Sequence, residues 1–337
     1  MSLSHVVTIN PAGKSFECEP EKSVLDNALA AGVMLNHGCR DGRCGDCRTT
    51  LSSGRVVYPQ GVELSENDRL GLTLLTCQAR CRSDLILESP EVSEFDGISI
   101  QKLPSRVVSK EKLADDVIRL TCRIAPGSTF KYLPGQYVDL SFRGVGCRSY
   151  SMATATIEDG CLEFHVRLVS GGKVTPWIFE EIQPKQMITI EGPYGSFYLR
   201  NNEEPYNSMP AIFLASGTGF APIKALMESL IAKNQTKSVH LYWGGRKESD
   251  LYLSELCTSW TEQYPWFRYT PVLSDEPSDS WVGCRGFVHL AVMEDYSDLS
   301  LHEVYACGAP IVIESARKDF SERCKLNLDH FYSDAFL

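Results

Sequence analysis

The spacing of apolar positions divides the chain into three stretches of different period. Over 5–9 and again over 15–19, apolar and polar residues alternate around a Pro11-Ala-Gly13 turn, which predicts a β-hairpin. Ser23 stands where an N-cap would start a short helix with the apolar face Val24, Leu25, Ala28 and Leu29, and Gly32 falls where such a helix stops. A strand is predicted through Leu51, a turn at Gly54-Arg55, a strand at Val56-Val57 and a closing strand over 84–88. The stretch 89–102, with its Pro, Ser, Gly and acidic residues, reads as a linker. Beyond it come short alternating strands, such as 117–124 and then Leu162, Phe164, Val166 and Leu168, separated by Pro-Gly turns; they predict an antiparallel barrel. The polar, turn-rich 201–208 is a second boundary. After it strands at 211–215, 238–243, 267–273 and 303–307 alternate with helical stretches, the pattern of a doubly wound parallel sheet. The expected fold is therefore multidomain α+β and α/β, with parts at 1–92, 100–205 and 206–337.

Composition narrows the function. A chain of 337 residues is long for one core. Its net charge of −10 argues against nucleic acid and against an anionic membrane surface as partners. Thirteen cysteines, an odd number with no signal peptide, argue against a disulfide framework. No apolar run reaches the roughly 18–20 residues of a membrane span. A reducing cytoplasm is expected.

The densest chemistry lies at 37–47. Cys39, Cys44 and Cys47 stand in C-x4-C-x2-C spacing, and Cys77 follows far downstream. Three thiolates from one loop and a distant fourth are the plant-type ligand pattern of a [2Fe–2S] cluster. Gly38, Gly42 and Gly45 let the backbone turn and bring N–H groups close to sulfur, one lever on reduction potential. A structural zinc site is the alternative, because Cys44 and Cys47 also read as C-x2-C. Zinc knuckles normally come in pairs, and Cys77 has only Cys81 near it at a different spacing. A Rieske centre would need two histidine ligands that are missing here. The order hairpin, helix, loop and strand resembles a plant-type ferredoxin domain of β-grasp fold. Gly38 departs from that family, standing where many relatives carry Ser before the first ligand. The missing hydroxyl is expected to lower the potential.

In the barrel stretch, Leu133-Pro-Gly-Gln-Tyr-Val138 leads to Arg148-Ser-Tyr-Ser151. Arg148 offers a charged fork to a phosphate, Tyr150 a flat face to a ring, and Ser151 a hydroxyl to a ring heteroatom. Gly171-Gly-Lys-Val-Thr175 precedes a short apolar segment, where backbone N–H groups suit a pyrophosphate; a plain turn is the alternative. Glu191-Gly-Pro-Tyr-Gly-Ser-Phe197 ends the stretch. Together these motifs, in this order, resemble the ferredoxin–NADP reductase superfamily. The resemblance implies FAD, with Arg148 on its phosphates and Tyr150 and Ser151 at the isoalloxazine. It further implies His165, Val166 and Arg167 along the cofactor, and Gly172, Lys173, Val174 and Thr175 around the pyrophosphate. Thr175 stands where Ser is commoner and keeps the hydroxyl.

Gly217-Thr218-Gly219 follows a predicted strand and precedes a helix opened by Ala221-Pro222, the context that gives a G-x-G weight. With Cys307-Gly308-Ala-Pro310 it resembles the NAD(P) lobe of the same superfamily. That implies Gly217, Thr218 and Gly219 on the nicotinamide dinucleotide, and Cys307 and Gly308 beside the hydride-transfer site, with Cys307 as the catalytic candidate. Without the motif, Cys307 reads as a small buried residue at a strand end. Arg246 and Lys247 suit a 2′-phosphate or a solvated loop. Asp250 suits a free ribose hydroxyl, so NADH is expected, with NADPH possible. Cys18, Cys81, Cys122, Cys147, Cys161, Cys257, Cys284 and Cys324 receive no chemistry, nor do His5, His240, His289, His302 and His330.

Cluster, flavin and nicotinamide sites on one chain suggest an electron relay, in which a flavin takes hydride and passes electrons singly to the cluster. The stretch 286–301, the tail at 330–336, Leu241-Tyr-Trp-Gly244 and Glu191-Gly-Pro193 resemble the CDP-6-deoxy-Δ3,4-glucoseen reductases of 3,6-dideoxyhexose biosynthesis. This likeness implies a pyridoxamine-phosphate-dependent CDP-4-keto-6-deoxyglucose dehydratase as electron acceptor, allowing C-3 deoxygenation. It also makes Phe336 a candidate to stack over the flavin; packing at a domain edge is the alternative. The reductase component of an aromatic-ring dioxygenase or a multicomponent monooxygenase shares the three-part order and differs in its acceptor. A non-enzymatic zinc protein is the third reading.

Overall fold

The computed structural model describes residues 4–89, 97–200, 209–275 and 280–336. The expected boundary at 201–208 lies outside them, as do residues 90–96 of the expected linker. The chain forms two compact units, Met1–Ile100 with Pro193–Ser196, and Gln101–Gly192 with Phe197–Leu337.

In the first unit, β1 (His5–Asn10) and β2 (Lys14–Cys18) make the predicted hairpin, with Val7 opposite Phe16. Helix α1 (Val24–Ala30) is capped by the Ser23 hydroxyl, which accepts the Asp26 N–H at 3.0 Å. It buries the four expected apolar residues together with Asn27. The remaining elements are β3 (Arg48–Ser53), β4 (Val56–Val57), α2 (Glu66–Arg69), β5 (Thr73–Leu75), β6 (Arg80–Cys81) and β7 (Leu85–Glu88). The sheet order is β2-β1-β7-β3-β5, with β7 running parallel to β1 and antiparallel to β3. A parallel first and last strand at the sheet centre is the β-grasp arrangement. One expectation is corrected here: Cys18 and Cys81, which received no chemistry, form a disulfide between β2 and β6. Sixty-three residues separate them, and no local spacing marks the pair.

The second unit holds two sheets. The first contains β8 (Gln101–Ala114), β9 (Val117–Ile124), β10 (Tyr137–Phe142), β11 (Gly146–Ser151), β12 (Cys161–Arg167) and β13 (Met187–Tyr194), with α3 (Val174–Glu180) between the last two. Its order is β11-β10-β13-β8-β9-β12. A Met152–Phe164 bridge and the Ala153 N–H to Glu163 carbonyl bond, 2.8 Å, join the two edge strands and close the barrel. Alternation along β9 and β12 puts Leu120, Cys122, Leu162 and Phe164 inside.

The second sheet contains β14 (Ala211–Ser216), β15 (Val239–Gly245), β16 (Phe267–Leu273), β17 (Cys284–Arg285), β18 (Glu303–Gly308) and β19 (Phe331–Ala335), all parallel. Helices α4 (Phe220–Ala232), α5 (Ser254–Gln263), α6 (Val288–Asp295) and α7 (Pro310–Cys324) connect them. The order β17-β16-β15-β14-β18-β19 reverses direction at β14, so the crevice beyond its C-terminal end is the predicted ligand position. Among the described residues no helix is long and apolar enough to cross a membrane.

Candidate functional site

In the first unit the four predicted ligand cysteines come together as two pairs. The Cys39 N–H donates to Cys44 Sγ at 3.4 Å, and the Cys44 N–H donates to Cys39 Sγ at 3.3 Å. Cys47 Sγ and Cys77 Sγ lie 3.2 Å apart. The loop makes this approach through left-handed turns at Gly42 and Gly45, with φ of +91° and +79°. Two thiol pairs suit a binuclear cluster with two cysteines on each iron.

Residues given no role in the sequence analysis follow the ligand loop. Arg48, next to Cys47, grips Asp68 with Nε at 3.2 Å and Nη2 at 3.0 Å. Thr73 Oγ1 donates to the same carboxylate at 2.6 Å, and Ser65 closes a capping box on it. Burial alone would raise the Asp68 carboxyl, but these donors overrule it and hold it at about 2. The loop is also anchored at His37, whose ring is fully buried: Nδ1 donates to the Leu35 carbonyl at 2.7 Å, leaving Nε2 to accept the Gly195 N–H at 2.9 Å. Burial lowers His37 to about 4, so the ring is neutral at physiological pH.

In the second unit, the barrel presents Arg148 on an exposed position of β11, opposite Leu140. Tyr150, two residues on, has a buried hydroxyl with no protein partner, and burial pushes its ionisation up. A buried hydroxyl without a protein partner on a partly exposed ring fits a flavin laid against it. Ser151 ends the strand, and its Oγ donates to Asp334 Oδ2 at 3.2 Å. Asp334 lies on β19 directly opposite Cys307 of β18, so Ser151, Asp334 and Cys307 gather at one place. Asp334 was given no role in the sequence analysis, although it lies in the tail at 330–336; 183 positions separate it from Ser151.

Not every residue that resemblance placed along the flavin has a free side chain. His165 is buried between Glu163 Oε1 at 2.8 Å and the Tyr252 hydroxyl at 2.9 Å, Val166 is in the barrel core, and Arg167 bonds Asp250 Oδ1 at 3.2 Å. Thr175 Oγ1 accepts the Val169 N–H at 2.9 Å and closes its own turn. Gly172 and Lys173 are exposed on that turn, and Val174 is buried.

At the β14 crevice the backbones of two turns touch. A Cβ on Gly219 would stand 2.2 Å from the Cys307 carbonyl oxygen, and one on Gly308 would stand 2.7 Å from the Ser216 carbonyl oxygen. Gly217 and Gly219 are buried, Thr218 half-buried. Cys307 is fully buried, and burial pushes its thiol well up. Phe336 is half-buried, and its N–H donates to the Gly308 carbonyl at 2.8 Å, bringing the tail to the same crevice. Asp250 does not serve as expected. Its carboxylate is buried, with Arg167 on Oδ1 and both the Arg246 N–H (2.9 Å) and Arg246 Nε (3.2 Å) on Oδ2. Burial would raise it, but the arginine contacts hold it below the ordinary range. Neither oxygen is open to a ribose.

Three family models match in the same order as these sites: a 2Fe-2S iron-sulfur cluster binding domain over 7–82, an oxidoreductase FAD-binding domain over 104–198 and an oxidoreductase NAD-binding domain over 213–318. A CDP-6-deoxy-L-threo-D-glycero-4-hexulose-3-dehydrase reductase from Yersinia pestis is 39% identical over 337 residues, covering 100% of this chain and 99% of the relative. Reductase component 2 of a terephthalate 1,2-dioxygenase from a Comamonas species is 32% identical, covering 99% and 98%. Among solved structures, the Amycolatopsis reductase GcoB superposes with a TM-score of 0.83 at 30% identity over 98% of each chain.

Proposed function

Because the chain belongs to the iron–sulfur flavoprotein reductases that include the CDP-6-deoxy-L-threo-D-glycero-4-hexulose-3-dehydrase reductases, we propose that its electrons go to a pyridoxamine-phosphate-dependent dehydratase. That partner would hold a CDP-6-deoxyhexose intermediate, and the electrons would allow its C-3 deoxygenation. The chain is an oxidoreductase with [2Fe–2S], FAD and NAD domains, and its working parts are taken as 1–92, 100–205 and 206–337. The reduced nicotinamide it would oxidise and the nucleotide sugar its partner would hold are metabolites of the cytoplasm, which supports that location.

When bound, FAD accepts an electron pair as hydride and releases electrons singly, and the cluster carries one at a time. The chain's own residues supply the arrangement. Cys39 with Cys44 and Cys47 with Cys77 would hold one iron each. Arg148 would neutralise flavin phosphate, and the Tyr150 ring and hydroxyl would face the flavin. Ser151 Oγ, which donates to Asp334, would stand at the flavin ring. Gly217, Thr218, Gly219, Cys307 and Gly308 would receive the nicotinamide end, and Phe336 would cover it from the tail. The buried Cys307 side chain keeps water from that point.

The observation that supports the dehydratase as acceptor is the end-to-end match with the Yersinia dehydrase reductase, closer than the match with the dioxygenase reductase. The test is an anaerobic NADH titration of the holoprotein, followed by the dehydratase and CDP-4-keto-6-deoxyglucose. Bleaching of flavin and cluster, then reoxidation only when both are added, is the expected result. Bleaching without that reoxidation would move the acceptor to an oxygenase component, the reading that the dioxygenase relative supports.

A further inference from the structure

A polar strut crosses from the barrel to the parallel sheet inside the second unit, and the sites above leave it unused. Lys224 lies on α4, just beyond the Gly217–Gly219 turn, and its side chain is only 8% exposed. Nζ donates to the Ala153 carbonyl at 2.9 Å and lies 3.4 Å from Glu163 Oε1, both groups of the barrel. Its third partner is Glu228 of its own helix, at 2.7 Å. Glu163 also meets His165 Nε2 at 2.8 Å and Arg119 Nε at 3.4 Å. His165 Nδ1 then returns to the parallel-sheet side through the Tyr252 hydroxyl, 2.9 Å away.

From Tyr252 the contact continues to the dinucleotide turn. Tyr252 packs edge-on against Trp243, ring centroids 5.1 Å apart, and Trp243 stacks on Phe220 at 3.9 Å. The Trp243 indole N–H donates to the Gly217 carbonyl at 3.0 Å. The circuit thus begins two residues after Ser151 and ends in the turn that resemblance assigns to the nicotinamide dinucleotide. Helix α4 meets the barrel again at Leu226, whose Cδ2 would stand 2.9 Å from a Cβ on Gly135.

Apolar surfaces alone would let α4 slide on the barrel, because dispersion contacts have little directionality. A buried ammonium is different. It is tolerated only where its hydrogen-bond acceptors are in place, and here two of the three belong to the facing lobe. We propose that Lys224 is a positioning residue for hydride transfer: by tying α4 to Ala153 and Glu163 it sets the distance between the flavin end of β11 and the dinucleotide turn. The proposal rests on NADH reducing FAD at this seam and is indifferent to the final acceptor.

The test compares the oxidised holoprotein with Lys224→Met, Lys224→Arg and, as control, Glu228→Gln, which removes the partner on the same helix only. FAD content and melting temperature are measured first. In stopped-flow experiments Lys224→Met should slow flavin reduction at saturating NADH by about 10- to 100-fold, with NADH affinity changed less than about threefold. Lys224→Arg keeps the charge and should recover part of the rate, which covers the case of a Met variant that folds poorly. Hydrogen exchange of the oxidised proteins, which needs no NADH, should show amides at 151–155 and 217–224 opening at least about fivefold faster in Lys224→Met and unchanged in Glu228→Gln. Flavin reduction within about twofold of the unaltered protein, or equal effects of Lys224→Met and Glu228→Gln on both readouts, would overturn the proposal. Failure of NADH to reduce the unaltered flavin would instead count against the donor assignment, and the exchange comparison would still stand.

Discussion

Gly219→Ala tests whether the meeting of the two turns is the hydride-transfer site. The new Cβ would stand 2.2 Å from the Cys307 carbonyl oxygen, 2.5 Å from its carbonyl carbon and 2.8 Å from the Gly308 Cα. Real Cβ contacts essentially never fall below 3.0 Å, so the gap must open by about 0.8 Å. No rotamer change can relieve this, because every neighbour is main chain. Cys307 is itself held on both sides by its ladders, opposite Ala215 and Asp334. Overpacking of this kind costs about 1–3 kcal/mol of stability, which a folded chain can survive. The reaction is less forgiving: a displacement of about 1 Å between reacting groups costs on the order of 100-fold in rate. Anaerobic stopped-flow mixing with NADH should therefore show flavin reduction slowed on the order of 100-fold at saturation, with FAD content retained. Reduction within about threefold of the unaltered protein, in a variant whose melting temperature also holds, would refute the reasoning. The turn would then not stand at the hydride path.

Three further outcomes are expected. Cys44→Ser should abolish cluster absorbance and cytochrome c reduction yet keep NADH-to-dye reduction through the flavin; full one-electron transfer without the cluster would contradict the relay. Gly38→Ser places its Cβ 2.7 Å from Asp46 Oδ2 and 3.0 Å from Cys44 Sγ, beside a cluster ligand. A redox titration should give a more positive cluster midpoint, and an unmoved midpoint would dismiss the idea that the absent hydroxyl lowers it. Asp68 is held at about 2 against an ordinary 3.8, so its contribution, about 2 kcal/mol, is present above pH 4 and lost as pH falls toward 2. Asp68→Asn should remove that contribution at neutral pH and flatten the acid limb of the first unit's melting curve; an unchanged acid limb would show that the Arg48 grip carries no stability.

Local chemistry was legible in the sequence because local spacing carries it. The loop at 37–47 reads as a cluster site since three ligands and their glycines are neighbours, and the strand–turn–helix around Gly217–Gly219 is likewise contiguous. The apolar period of β1, β9 and β12 reports the face each strand buries, and the structure keeps those faces. Asp250 shows where such reading fails. Its position after β15 reads as that of a ribose ligand, but whether a carboxylate faces a ligand or a neighbouring arginine depends on Arg167, which comes from the other sheet.

The order of the three parts and their fold classes follow from the sequence by itself, because period and turn signals are matters of residues within a few positions of one another. Tertiary structure alone decided the rest. It paired Cys18 with Cys81, brought Asp334 to Ser151, closed Asp250 between two arginines and seated Lys224 against Ala153 and Glu163. These are encounters between groups far apart in the chain. A buried charge or hydroxyl takes whichever partner the packing delivers, and periodicity records only that a position is inside, not what it will meet there.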